Sequence, residues 1–193
     1  APTVAYPEKA WTIEWHEQIA TIATALGQSE RTEELIDEIK GRFAQAQADH
    51  PDFAQYDFAF IYNQGPSDNL GVFLPGEQRA ALVASLGLQV APFVEEMREH
   101  EVEGTDSALF SLEEADRLDD VDLIFTFYSD ETNREQMHAH PVYSAIPAIA
   151  AGAEVAPTDQ SFVTGSSMIN PLTVPWAIDR YVPMIEEAIA AID

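Results

Sequence analysis

One histidine-containing segment of the sequence has the residue types of a metal site. It reads Glu135-x-x-His138-x-His140. Imidazoles two residues apart do not share a helix face, although a turn at Pro141 could bring His138 and His140 together. We favour the interpretation that these residues form the exposed end of a helix, with cations near its C-terminus, where they complement the helix dipole. His138 and His140 are therefore weak metal candidates, and they leave open a metal-dependent or hydrolytic α/β enzyme.

Other catalytic and phosphate-binding patterns are missing from the sequence. It has no GxGxxG and no GxxxxGK[ST], so a nucleotide enzyme is not indicated. Gly165-Ser166-Ser167 lacks the closing glycine of a GxSxG elbow. Without cysteine the chain has no disulfide, no thiolate zinc site and no cysteine nucleophile.

Aromatic side chains at the ends of predicted strands are more suggestive. Tyr62 and Tyr128 each end such a strand, and Phe162 stands in a predicted loop before the last helix. Ligands collect outside the carboxyl edge of parallel sheets. Together the rings could contact a large planar or chelated ligand, and core or rim packing is the alternative for each of them.

The segments that must position these side chains alternate between strand-like and helix-like patterns. The predicted strands are Tyr56–Tyr62, Leu70–Leu74, Gln89–Val94, Asp122–Tyr128 and Glu154–Ala156. Helical patterns lie between most of them, and a final helix is predicted from Leu172 to Ile192. This alternation predicts an α/β fold in three layers, with a largely parallel central sheet flanked by helices.

The first 50 residues have a different character. A short strand is predicted over Pro2–Tyr6, followed by a helix from Thr12. A second helix from Glu30 to Asp49 would be about 30 Å long at ~1.5 Å per residue. The predicted boundary at His50-Pro51 separates residues 1–50, with this long helix, from an α/β block of residues 51–193.

The charge balance excludes several classes of partner. The 193 residues contain 34 Asp and Glu against 9 Lys and Arg, a formal net charge of −25. Nucleic acids and anionic lipid surfaces are bound through Lys and Arg, so both are disfavoured as partners. Such acidity suits a cationic partner surface, solubility or a high-salt habitat. The longest uncharged run, 160–178, is too polar to span a bilayer.

Several short motifs follow one another in a recognisable order. They are IATALGQSER at 22–31, LGVFLP at 70–75, ASLGL at 84–88 and FSLE at 110–113. Their order over essentially the whole chain resembles the substrate-binding proteins of iron-siderophore ABC importers, of the ferrichrome, enterobactin, haem or cobalamin type.

This resemblance implies two α/β lobes joined by one long helix, with the ligand clasped between the lobes. Residues 1–50 would be the end of the N-terminal lobe and the connecting helix, and residues 51–193 the C-terminal lobe. The expected protein is not an enzyme and has no cofactor. It delivers a ferric siderophore to a membrane permease, with cobalamin, haem or a metal ion as alternative cargo. It would be extracytoplasmic, in the periplasm or as a cell-surface lipoprotein whose signal and anchor lie outside this chain.

The resemblance also assigns a docking residue. A glutamate at the S-x-E helix start of the C-terminal lobe pairs with permease arginines in the family, and the matching residue here is Glu113. The alternative is a first-turn acid that complements the helix dipole. Glu114 is the better partner for a capping box with Ser111.

Ligand contacts in the family come from loops that follow strands. The corresponding residues in this chain are Tyr62, Asn63, Ser107, Tyr128 and Phe162. No arginine falls in these predicted loops. Either the other lobe supplies positive charge to an anionic chelate, or the ligand is neutral.

Overall fold

The computed structural model of the chain describes residues 3–5, 13–63 and 68–192. Its α-helices are α1 (Trp15–Ala25), α2 (Thr32–Asp49), α3 (Gln78–Ser85), α4 (Pro92–Glu96), α5 (Glu131–Ala139), α6 (Pro147–Ala151), α7 (Gln160–Gly165) and α8 (Thr173–Ile189). Its strands are β1 (Asp57–Asn63), β2 (Asn69–Phe73), β3 (Gln89–Val90), β4 (Ser107–Ser111), β5 (Leu123–Phe125) and β6 (Glu154–Val155). Short 3₁₀ helices lie at Ser29–Arg31, Pro51–Gln55, Met97–His100, Leu112–Leu118 and Tyr143–Ala145. Of the strand predicted over 2–6, residues 3–5 are described and are not part of a strand, and residues 2 and 6 lie outside the described residues.

The described strands form one sheet in the order β4-β2-β1-β5-β6. Strands β1, β5 and β6 run parallel, and β3 pairs in parallel with the first residues of β1. Helices flank the sheet, so the predicted α/β class is confirmed. The other edge is antiparallel, because β1 turns back into β2 and β2 pairs with β4. This edge was not predicted, since the sequence around Ser107 was not recognised as a strand.

The long helix packs on the rest of the fold through one apolar stripe. Ile39, Phe43 and Ala46 of α2 are buried at positions spaced by about one turn. They belong to the same continuous core as the buried residues of the sheet and of α8. The predicted long helix is thus confirmed, with a 3₁₀ turn at Ser29–Arg31 ahead of it.

Two local predictions were wrong, and in each case a helix start explains the difference. The strand predicted over Gln89–Val94 ends at Val90, because Pro92 occupies the first turn of α4, where its missing N–H costs nothing. The loop predicted around Phe162 is α7, whose N-cap residue Asp159 accepts a hydrogen bond from the Ser161 N–H.

A close approach between β1 and β2 fixes the position of Tyr62. The Tyr62 ring lies directly over Gly71, its partner across the antiparallel pair, and a Cβ at that position would overlap the ring. The ring stacks on Phe73 with 4.7 Å between centroids. Its hydroxyl is 3.1 Å from the Ser107 Oγ on β4. Glycine at position 71 is therefore required for this arrangement.

We expect Gly71→Ala to displace the Tyr62 ring and to lower the free energy of unfolding by about 1–3 kcal/mol, the usual cost of overpacking. Gly41→Ala is the control, because nothing lies within 4 Å of a Cβ there and the residue is inside α2. That variant should gain roughly 0.5–1 kcal/mol. Urea denaturation of both variants checks the prediction, and a Gly71→Ala protein as stable as Gly41→Ala would contradict it.

Candidate functional site

A cluster of partly exposed aromatic rings lies beside the carboxyl ends of β1 and β5. Alternate residues of a strand share a face, so Phe60 and Tyr62 point to the same side of the sheet. On that side Phe73 stacks on Tyr62, and Phe127 stacks on Phe73 with 6.4 Å between centroids. The partly exposed Tyr62, Phe73 and Phe127, with Arg79 described next, are called the aromatic cluster below.

Arg79, on the first turn of α3, completes the aromatic cluster. Its guanidinium carbon is 4.9 Å from the Phe73 ring centroid and 5.8 Å from that of Phe127, within cation–π range. The Arg79 side chain is 23% exposed, and its buried Nε has no hydrogen-bond partner among the described residues.

Arg79 was not among the predicted site residues, because the family resemblance places ligand contacts in loops that follow strands. The antiparallel hairpin places the start of α3 beside the rings instead. The available signal was the pair of opposite charges in Glu77-x-Arg79 at a helix start, in a chain with few cations.

Glu77 is the direct partner of Arg79. Its carboxylate accepts a hydrogen bond from the Arg79 backbone N–H at 2.8 Å, which makes it the N-cap of α3. The same carboxylate forms an ion pair with the Arg79 guanidinium. Glu77 is only 4% exposed. Burial raises the pKa of Glu77 above its ordinary value, and the charge and hydrogen bonds of Arg79 oppose this rise.

Three of the predicted ligand residues lie at the ends of β1 and β4, which β2 separates in the sheet, and their roles differ. Tyr62 belongs to the aromatic cluster, and Ser107 beneath it is buried and shares hydrogen bonds with Tyr62 and Thr105. Asn63, partly exposed at the end of β1, accepts a hydrogen bond from the Asn133 amide at 2.9 Å. The structure brings Tyr62 and Ser107 into contact and turns Asn63 toward α5.

Tyr128 lies in a buried hydrogen-bond network rather than on an open surface. It is 3% exposed, and its hydroxyl contacts the Tyr143 hydroxyl at 2.8 Å and the Glu154 carboxylate. Glu154 also accepts from Tyr143 at 3.0 Å and lies 3.0 Å from the His138 Nε2. Burial and the neighbouring Glu154 charge raise the pKa values of both tyrosines. Ligand contact by the Tyr128 ring stays a prediction, and in the described structure the ring is buried within this network.

Phe162 is a core residue of the described structure. It is 2% exposed and packs against Trp176 and Tyr181, with centroid distances of 5.1 and 4.8 Å. Phe162 was expected in a loop that faces the ligand. It lies instead in α7, which turns the ring inward against α8.

The two histidines considered as metal ligands have separate partners. His138 faces Glu154, whereas the His140 Nδ1 accepts a hydrogen bond from the Val142 N–H at 3.3 Å. In the described part of the chain, no group of three or more His, Asp or Glu side chains is placed to hold a metal ion.

Glu113 lies exposed at the start of the 3₁₀ helix Leu112–Leu118. Its backbone N–H donates to the Ser111 Oγ at 3.2 Å. Glu114 forms the predicted capping box with Ser111, and its carboxylate also pairs with Arg117 at 3.2 Å. The capping role therefore belongs to Glu114, while the Glu113 side chain takes no part in the cap.

The helices of the described residues include none that is both long and apolar enough to cross a membrane.

Comparisons with known proteins agree with the fold. The model of the periplasmic binding protein family matches residues 1–155. No curated protein sequence matches the chain. PiaA of Streptococcus pneumoniae TIGR4, solved in complex with ferrichrome, is similar in structure, with a TM-score of 0.81 and 24% identity over 96% of this chain and 62% of PiaA. The chain therefore spans less than two thirds of the length of PiaA.

Two further structures are similar over most of this chain. One is a periplasmic solute binding protein from Mycobacterium smegmatis, with a TM-score of 0.75, 21% identity and coverage of 92% of this chain and 57% of that protein. The other is FhuD2 from Staphylococcus aureus with bound ferrioxamine B, with a TM-score of 0.69, 13% identity and coverage of 94% and 66%. At these identities the matches establish a shared fold.

The family match covers most of the chain, including the strands and the helix start that carry the aromatic cluster. The family and the structural neighbours are substrate-binding proteins. The chain belongs to the periplasmic binding protein family.

Proposed function

We propose that this chain is part of the solute-binding component of an ABC importer, which binds a ferric siderophore or a similar iron chelate and delivers it to a membrane permease. The observation that carries this proposal is the aromatic cluster, which presents partly exposed rings and an arginine on a fold shared with PiaA and FhuD2. Those two proteins were solved with ferrichrome and ferrioxamine B, respectively. The proposed ligand therefore packs on the cluster.

The residues of the cluster and its neighbours have different roles in ligand binding. Tyr62 and Phe127 offer apolar ring surface, and Arg79 offers N–H donors to chelate oxygens. Asn63, at the end of β1, offers a polar group on the side of α5. Ser107 positions the Tyr62 hydroxyl. Binding of this kind requires no covalent chemistry from the protein.

The division between residues 1–50 and 51–193 remains part of the proposal. In it, α2 is the connecting helix, residues 51–193 form one lobe, and a second lobe completes the cleft. The apolar stripe of α2 on the core of the lobe would hold the helix rigid against that lobe. Small closing motions between lobes would then suffice to clasp the ligand.

Glu113 is the proposed permease contact. Its exposed carboxylate is free of the capping role, and the net charge of −25 would attract a basic permease face. The family implies an extracytoplasmic protein, and we place it in the periplasm or on the cell surface.

We expect Tyr62→Ala to weaken ferrichrome binding by about 5- to 150-fold, because ring stacking contributes roughly 1–3 kcal/mol where it has been measured. Tyr62→Phe keeps the ring and loses only the hydroxyl contact with Ser107. Its ferrichrome affinity should therefore fall by less than about fivefold. Quenching of intrinsic fluorescence in the full-length natural protein measures both. Unchanged affinity in Tyr62→Ala would show that the ligand binds elsewhere.

We expect Glu113→Arg to reduce siderophore-dependent iron uptake by about tenfold or more while leaving ferrichrome affinity unchanged, because the substitution places like charges against permease arginines. Glu38→Arg, an equal charge change on the exposed side of α2, is the control and should transport normally. Uptake of radioactive iron in cells that carry each variant is the measurement. Normal uptake in Glu113→Arg would refute the docking assignment.

A further inference from the structure

The charge of Arg79 is already compensated within the protein. Its guanidinium pairs with Glu77, whose side chain is 6% exposed against 23% for that of Arg79. Two opposite charges in contact act on a distant ion as a dipole, whose field falls off faster than that of a single charge. The aromatic cluster thus presents aromatic surface and N–H donors with no net positive charge.

The nearby charged groups do not add a positive excess. The half-buried Asp106 carboxylate lies against the Gly76 turn that precedes Glu77, close enough to overlap a Cβ at that glycine. Asn133 of α5 contacts Asn63 at the end of β1, and the adjacent Arg134 follows Asp130 and Glu131 at the start of the same helix. Together, Asp106, Asp130, Glu131 and Arg134 add no positive excess.

Ferric chelates differ in net charge according to their ligand groups. A hydroxamate brings one negative charge to iron(III), so a tris-hydroxamate core is neutral. A catecholate brings two, so a tris-catecholate core is strongly anionic. Burying an anion against a surface without an uncompensated cation is costly, whereas a neutral chelate can pack on the rings and accept hydrogen bonds.

We infer that the Glu77–Arg79 pair makes this surface select neutral or cationic ferric hydroxamates over anionic ferric catecholates, an inference that rests on the proposed function. Glu77 is the specificity-determining residue, because it cancels the one guanidinium in the aromatic cluster. Of the two alternatives that the sequence leaves open, the pair favours a neutral ligand over an anionic one whose charge is met by the other lobe.

The experiment compares three probes on the full-length natural protein: ferrichrome as the neutral chelate, ferrioxamine B as the cationic one and ferric enterobactin as the anionic one. Titrations in about 1 M salt, where the Debye length is ~3 Å, remove the long-range repulsion due to the charge of −25 and leave the local effect. We expect ferrichrome to bind at least about 100-fold more tightly than ferric enterobactin.

The variants separate charge from packing. Glu77→Gln keeps an oxygen that can cap α3 and leaves the Arg79 charge uncompensated, so the ratio of the two affinities should fall at least about tenfold. The double variant Glu77→Gln, Arg79→Gln removes both charges and should restore the ratio to within about threefold of the wild type. Glu38→Gln, the same charge change on α2, should leave the ratio unchanged.

The outcomes distinguish failure of the proposed function from failure of the charge inference. If none of the three chelates binds, the proposed function fails. If ferric enterobactin binds as tightly as ferrichrome, the charge inference is overturned while the proposed function stands. An unchanged ratio of ferrichrome to ferric enterobactin affinity in a folded Glu77→Gln protein also overturns the charge inference. Should that variant not fold, Glu77→Ser, whose hydroxyl can still cap α3, is measured instead, and an unchanged ratio in that protein would overturn the inference equally.

Discussion

The structure depends on the burial of β1 at the centre of the sheet. This strand has β5 on one side and β2 and β3 on the other, so it joins the parallel and antiparallel parts. Phe58, Phe60 and Ile61 are each at most 3% exposed, and complete burial of such side chains contributes roughly 1.5–3 kcal/mol apiece. A shift of one residue would turn Phe60 and Tyr62 to the opposite face. The register of β1 therefore decides where the aromatic cluster lies.

Four arginines of the described residues, Arg31, Arg79, Arg98 and Arg117, form ion pairs with carboxylates, and their surroundings decide what the pairing does. Arg98 with Glu95 and Arg117 with Glu114 are solvent-accessible pairs one helical turn apart, and such pairs contribute little to stability. The Glu77–Arg79 pair differs because its carboxylate is buried and its guanidinium lies on two rings. Removal of either partner would leave a poorly solvated charge, so this pair constrains both the fold and the chemistry of the surface.

A second polar group of residues has a structural role on another part of the sheet. Glu154 on β6 is 6% exposed at its side chain and accepts hydrogen bonds from Tyr128 and Tyr143, with His138 beside it. These contacts join β6 to the end of β5, to α5 and to the Tyr143–Ala145 turn. Buried polar groups that are fully paired in this way hold neighbouring elements in one arrangement.

The sequence by itself determined the α/β class, the long helix and the Ser111–Glu114 capping box, because these depend on local periodicity and on residues three or four apart. It also placed Tyr62 at a strand end. Only the tertiary structure decided that Tyr62 lies over Gly71, that Tyr128 and Phe162 are buried, and that Arg79 meets Phe73 and Phe127. These facts depend on pairings between distant segments, such as the antiparallel edge from β1 to β4. Whether a ring or a charge faces a ligand is set by what packs over it, and local sequence pattern carries no such information.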